Sequence, residues 1–188
     1  MIDPSKVTKY DRTEAELQEF LLFCVMVAGK QAKIESGKLE AFLSEGLAGV
    51  TPFDYVRSLI FDGELEEKLQ EHRIAPYGMR IKSFKAIVDI SDLSKVTMEQ
   101  LVLLPGVSYK TANFFLTHSR ENHSFPILDT HILKWLGERG YKVPKSSPSN
   151  FKKYAQIAKY FIDESNKLGK DIATLDLEIW NERSTSNG

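Results

Sequence analysis

Lys110 and Asp129 are the two residues whose types and settings suggest covalent chemistry. Lys110 lies in Leu103-Leu104-Pro105-Gly106-Val107-Ser108-Tyr109-Lys110-Thr111-Ala112, which reads as helix, four-residue turn, helix. An ammonium in the first turn of a helix is repelled by the positive end of the dipole. That favours the uncharged amine, which is a nucleophile. Asp129 heads a second helix in Leu128-Asp129-Thr130-His131, where the same dipole favours the carboxylate. Two helix starts can thus present an amine and a carboxylate to one reacting centre. Removing a base from a sugar needs that pair. The amine attacks the anomeric carbon, and the carboxylate stabilises the positive, sugar-like transition state. Singly, each residue has an ordinary reading, a surface lysine and a plain N-cap.

The turn before Lys110 has its own use. Gly106 permits torsions that other residues resist, and the amides at the start of the next helix lack intrahelical acceptors. With the helix dipole, such amides suit a phosphate oxygen, so Gly106, Val107 and Ser108 are expected to grip a nucleic-acid backbone. The ordinary alternative is a turn between two packed helices.

Almost every other segment reads as helix. Thr13-Glu14-Ala15-Glu16 and Thr97-Met98-Glu99-Gln100 are capping boxes, and Thr51-Pro52 is an N-cap followed by proline. Helices are predicted from the first box to Gly29, over Gln31–Glu45, from Thr51 to about Phe61, and over Leu65–His72. Pro76-Tyr77-Gly78 reads as a turn before a helix over Met79–Ile90. Further helices are expected from Thr97 to Leu104, from Ser108 to about His118, from Asp129 to about Arg139, over Ser149–Leu168 and over Leu175–Asn181. Glu121–Pro126 and Pro144–Pro148 read as loops, and Arg183–Gly188 as a frayed end. No segment alternates convincingly enough for a strand, so the fold class is all-α.

Composition narrows the functions. The chain has 188 residues and one cysteine, Cys24, which excludes a disulfide framework, a cysteine zinc site and a four-cysteine iron–sulfur cluster. Phe20–Ala28 is the longest apolar run and is too short for a bilayer. Met1-Ile2-Asp3-Pro4 does not begin a signal peptide. The net charge of -1 hides a split: residues 72–153 hold 13 basic against 6 acidic side chains, and the remainder 12 against 20. A basic middle suits phosphate, although solvated helix faces alone give such a split more often. His118, His123 and His131 lack metal-ligand spacing, and His131 is expected to be a buried hydrogen-bonding residue. Cys24 is expected in the core.

The stretches Leu104-Pro105-Gly106-Val107, Lys110-Thr111-Ala112 and Leu128-Asp129-Thr130-His131-Ile132 resemble the helix-hairpin-helix DNA glycosylases of the endonuclease III superfamily. The resemblance extends to Ala75-Pro76-Tyr77-Gly78-Met79-Arg80-Ile81-Lys82-Ser83-Phe84 and Gly29-Lys30-Gln31-Ala32. Val143-Pro144-Lys145-Ser146 and Leu175-Asp176-Leu177-Glu178-Ile179-Trp180 are similar to the compact archaeal-type 8-oxoguanine DNA glycosylases, which lack an iron–sulfur cluster. The likeness implies that Lys110 is a Schiff-base nucleophile and Asp129 the assisting carboxylate. It also implies a bifunctional enzyme that removes the base and then breaks the strand by β-elimination. Two departures stand out. Ser108 occupies the usual place of a second hairpin glycine. The chain ends in Asn187-Gly188 where the archaeal type uses a terminal lysine near the base, so any equivalent contact must differ.

A flipped purine needs aromatic walls. Phe114, one turn after Lys110, and Trp180 are expected to supply them; core packing is the alternative for both. Asp176 is a candidate polar contact to the base, with an exposed helix-start acid as the commoner reading. Lys30 and Gln31 stand where relatives place a wedge or an orphan-base contact, and Tyr77, Met79 and Arg80 are candidates to wedge from the other lobe. Lys82, Lys85, Lys134, Lys145 and Lys152 are candidate phosphate neighbours.

The expected architecture is two helical lobes around a DNA-binding cleft, one of residues 1–65 with 140–188, the other of 66–139. The expected partner is double-stranded DNA containing 8-oxoguanine, met by a monomer in a prokaryotic cytoplasm or nucleoid, with no cofactor, metal or membrane. The alternatives are a glycosylase for another oxidised base, a non-catalytic helix-hairpin-helix DNA-binding module, and a helical protein-interaction domain.

Overall fold

In the computed structural model, residues 2–121, 123 and 125–185 are described, the last two without their side chains. The regular elements among them are helical: a short 3-10 turn at Pro4–Lys6 and ten α-helices. No helix among the described residues is long and apolar enough to cross a membrane. Contacts gather the chain into two compact units. One holds the residues up to Val7 with Asp11–Val107; the other holds Thr8–Tyr10 with the residues from Ser108 onward. These units follow different lines from the lobes expected from sequence: residues 66–107 group with the N-terminal helices, and 140–188 with 108–139.

The first unit is built around α1 (Glu14–Met26). Both bonds of the Thr13 capping box form, and every residue from Phe20 to Met26 is buried. A helix apolar on all faces must be surrounded, and α2 (Ala32–Leu43), α3 (Pro52–Asp62) and α5 (Tyr77–Ile87) pack on it. Cys24 is in this core. Gln18 locks α1 to α3 by accepting the Phe53 amide at 3.0 Å. The small helices α4 (Leu65–Glu71) and α6 (Met98–Leu101) complete the unit.

Two boundaries here differ from the sequence reading. Tyr77 and Gly78 are helical rather than a turn, because Pro76 occupies the N-cap position and starts α5 at once. The Thr97 capping box forms, yet α6 ends at Leu101 rather than at the expected Leu104.

The second unit holds α7 (Tyr109–Ser119), α8 (Thr130–Glu138), α9 (Phe151–Leu168) and α10 (Ile172–Thr185), with α10 packed on the other three. Leu133, Leu136, Tyr154, Phe161, Leu175 and Ile179 are central to its core. α10 is longer at both ends than the sequence suggested. Asp171 accepts the Thr174 amide and opens the helix early. At the far end Arg183, expected to be frayed, is helical and pairs with Glu138 of α8. Residues 186–188, including Asn187 and Gly188, lie outside the described residues, as do 122 and 124 of the expected loop.

Candidate active site

Ser108 is the N-cap of α7 and accepts the Thr111 amide at 3.2 Å. Lys110 is therefore the second helical residue, in the first turn as expected. It is half-buried and forms no ion pair with any described residue. Phe114 and His118 follow at intervals of four, so the three lie along one face of α7. Phe114 is half-buried and meets the His118 ring edge-on at 5.2 Å.

His118 is the buried histidine of this chain; His131, expected in that role, is half-buried. Its Nδ1 is 2.7 Å from the Thr8 hydroxyl and its Nε2 is 3.3 Å from Oδ2 of Asp176. The Lys9 amide donates to its carbonyl at 3.0 Å. Asp176 is thus not an exposed helix-start acid. It is buried on α10, because that helix begins earlier and turns this position inward. Burial pushes its carboxyl above the usual range, and the nearby Asp129 pushes the same way. The His118 hydrogen bond opposes that rise, and the neighbouring imidazoles of His118 and His131 act in the same direction. Trp180, half-buried, is one turn further along the same face of α10.

Asp129 caps α8, accepting the Ile132 amide on Oδ1 at 2.8 Å, and its side chain is partly buried. The approach to it is pinned from below by Tyr154 of α9. The Tyr154 hydroxyl donates to the Pro126 carbonyl at 2.8 Å and accepts the Leu128 amide at 3.0 Å. Two consecutive stretches of loop are thereby fixed to a helix whose tyrosine is fully buried. Burial pushes the Tyr154 hydroxyl up. Nothing in the local sequence marks Tyr154 for this task; its apolar helical spacing identifies it only as core.

The turn ahead of α7 explains its glycine. Gly106 has φ +77, and a Cβ there would sit 2.5 Å from the Ser83 hydroxyl oxygen. That hydroxyl lies 2.7 Å from the Pro105 carbonyl and holds the turn. Val107 requires a correction. It is buried, and its amide already donates to the Leu104 carbonyl at 3.1 Å, so it offers no N–H to a phosphate. The amides of Ser108, Tyr109 and Lys110 are the donors left at the start of α7.

Lys30 and Gln31 are both exposed, and Gln31 takes the N-cap position of α2 without using its side chain as a cap. Tyr77 is half-buried, and Met79 is 45% exposed. Arg80 also departs from its expected role. It is 3% exposed, and its guanidinium donates to the carbonyls of Val25 and Met26 at the end of α1. An arginine spent on capping a buried helix end is not placed to wedge into DNA. Lys82, Lys85, Lys134, Lys145 and Lys152 are exposed. Away from all these, Glu45, Glu71 and His72 converge, with the Lys68 ammonium 3.0 Å from Glu45 and 2.8 Å from Glu71.

A family model described as 8-oxoguanine DNA glycosylase (Ogg-HhH) matches residues 2–170. Among curated proteins, the chain is 35% identical over 129 residues to an 8-oxoguanine DNA glycosylase/AP lyase of Methanocaldococcus jannaschii, covering 62% of this chain and 61% of that protein. The match thus spans less than two thirds of that relative's length. It is 29% identical over 188 residues to the protein of the same name from Thermoplasma volcanium, covering 91% of this chain and 82% of that one. Among solved structures, the M. jannaschii 8-oxoguanine glycosylase/lyase in complex with 15mer DNA containing 8-oxoguanine matches with a TM-score of 0.69 and 26% identity. That match covers 93% of this chain and 84% of that chain.

Proposed function

Since the chain belongs to the 8-oxoguanine DNA glycosylase family, we propose that it removes 8-oxoguanine from duplex DNA and then cleaves the strand, with Lys110 as the nucleophile. The observation that carries this reading is Lys110 itself. It is a half-buried lysine in the first turn of a helix, without an anionic partner among the described residues, and an amine so placed is open to act as a nucleophile.

The Lys110 Nζ attacks C1′ of the damaged nucleotide, and the bond from C1′ to the base breaks, the base leaving with the electron pair and taking up a proton. Positive charge develops on the sugar in this step. The Asp129 carboxylate, with one oxygen engaged at the α8 start, stabilises that charge. The bond from C1′ to the ring oxygen O4′ then opens, O4′ taking up a proton, and leaves an iminium between C1′ and Nζ. This iminium makes the C2′ proton acidic; its loss expels the 3′ phosphate and cuts the strand.

Phe114 and Trp180 form walls for the extruded base, and Asp176 gives it an acceptor. The amides of Ser108, Tyr109 and Lys110, with Gly106 shaping the turn, hold a backbone phosphate. Lys30 and Gln31, with Tyr77 and Met79, engage the strand around the gap. The enzyme acts as a monomer on the DNA of a prokaryotic cytoplasm or nucleoid.

The test is chemical trapping. Incubated with borohydride and a duplex carrying 8-oxoguanine, the protein is expected to yield a covalent protein–DNA adduct; undamaged and thymine-glycol duplexes are expected to yield little. Trapping on thymine glycol in preference moves the enzyme to another oxidised base, and binding without any adduct or cleavage reduces it to a DNA-binding module.

A further inference from the structure

His118 is the one histidine of the second unit that is wholly enclosed, with a side-chain exposure of 0%, while the Asp176 carboxylate it meets keeps 9%. The acid keeps a little exposed surface and the imidazole has none. Both imidazole nitrogens are engaged on opposite sides, by Thr8 and by Asp176, and the ring also supports the edge-on contact with Phe114. One buried side chain therefore sets two groups that the functional reading places at the extruded base.

We propose that His118, braced by Thr8, is a positioning residue for recognition of the damaged base. Its Nε2–H donates to Oδ2 of Asp176 and keeps that carboxylate an acceptor in a fixed orientation, while its ring holds Phe114 in place. The Thr8 hydroxyl donates to Nδ1, which selects the tautomer with its proton on Nε2. A carboxylate buried beside another acid tends to take up a proton and become a donor. Asp129 and His131 of α8, and Tyr154 of α9, are the other titratable groups that act on Asp176. Against the Asp129 charge, the His118 bond favours the acceptor form. A purine presents N–H donors on its edges, and an acceptor at this place selects for them. The proposal rests on the base-excision reading above and deepens it: Lys110 and Asp129 act on the sugar, while His118 acts only through the groups that meet the base.

A comparison of two reactions separates these roles. Base release from an 8-oxoguanine duplex requires base recognition; strand cleavage of a duplex with a preformed abasic site does not. Single-turnover rates of both are measured for the wild type, His118→Leu, His118→Gln and Thr8→Val. The ratio of base release to abasic cleavage is expected to fall about tenfold or more in His118→Leu, the cost of a charge-assisted hydrogen bond. His118→Gln, whose amide can donate from near the Nε2 position, is expected to recover the ratio to within about threefold. Thr8→Val is expected to lower it by less than His118→Leu does. If His118→Leu slows both reactions in one proportion, or leaves both unchanged, the positioning role is overturned. If that variant does not fold, Thr8→Val decides: a lowered ratio supports the positioning role through its brace, and an unaltered ratio overturns it. Wild-type protein that cuts the abasic duplex yet releases no 8-oxoguanine overturns the base reading itself, and with it the proposal.

Discussion

The first turns of α7 and α8 are made from the same parts and put to opposite uses. Each has a polar N-cap that accepts the third helical amide, Ser108 from Thr111 and Asp129 from Ile132. At α8 the charged side chain is the cap, so the group that complements the dipole also holds the helix end together. At α7 the cap is a neutral serine, and the basic residue of the first turn, Lys110, takes no part in capping. A residue that stabilises its own helix can be recruited to a site at no structural loss. A lysine in the first turn adds nothing to the capping of its helix, and the proposed nucleophilic role gives it a use.

This contrast predicts that activity and stability separate at α7 for any loss of the lysine, and at α8 only for a substitution that keeps the cap. The largest effect is expected from Lys110→Gln. Adduct formation and strand cleavage should fall at least about a thousandfold, while the melting temperature stays within the shift of about 0.5 kcal/mol usual for surface changes. A large loss of stability in that variant would break the contrast. At α8, Asp129→Asn keeps a good cap and removes the charge, so base release is expected to slow by about a hundredfold with little change in melting. Asp129→Ala removes both, and should add a stability loss of about 1 kcal/mol, or roughly 2–4 °C in a chain of this size.

Tyr154→Phe sharpens the comparison from beneath. It strips the Pro126 carbonyl and Leu128 amide of their partner, at a cost of about 1–3 kcal/mol, and lets the Asp129 loop drift. Base release is expected to fall about tenfold, less than in Asp129→Asn. Thermal melts with single-turnover assays check both. Ser108→Ala is the smallest change, a loss of about 1 kcal/mol in stability from the missing cap.

What was legible in the sequence follows from how far each signal reaches. Thr13, Thr51, Thr97 and Asp129 announce helix starts because a cap bonds to residues three positions away, and all four are caps in the structure. Lys110 was readable as a first-turn lysine for the same reason. Arg80, His118 and Tyr154 were not readable in their roles, since their partners are 54 and 55, 58 and 110, and 26 and 28 positions away. A local pattern cannot say that a basic residue at the start of α5 will be spent on the carbonyls of α1. One local signal does reach His118: the interval of four from Lys110 to Phe114 continues to it, which marks the histidine as a member of that face.

Thr8–Tyr10 lies a hundred residues upstream of everything else in its unit. A gene split ahead of Ser108 would leave the downstream product with its imidazole unbraced at Nδ1. Supplying the missing piece as a short peptide would be complementation rather than repair of a break. During synthesis the segment leaves the ribosome early and waits for most of the protein to follow before its place exists. Cleavage by a protease just after Tyr10 would part this strap from the rest of the polypeptide without severing any helix.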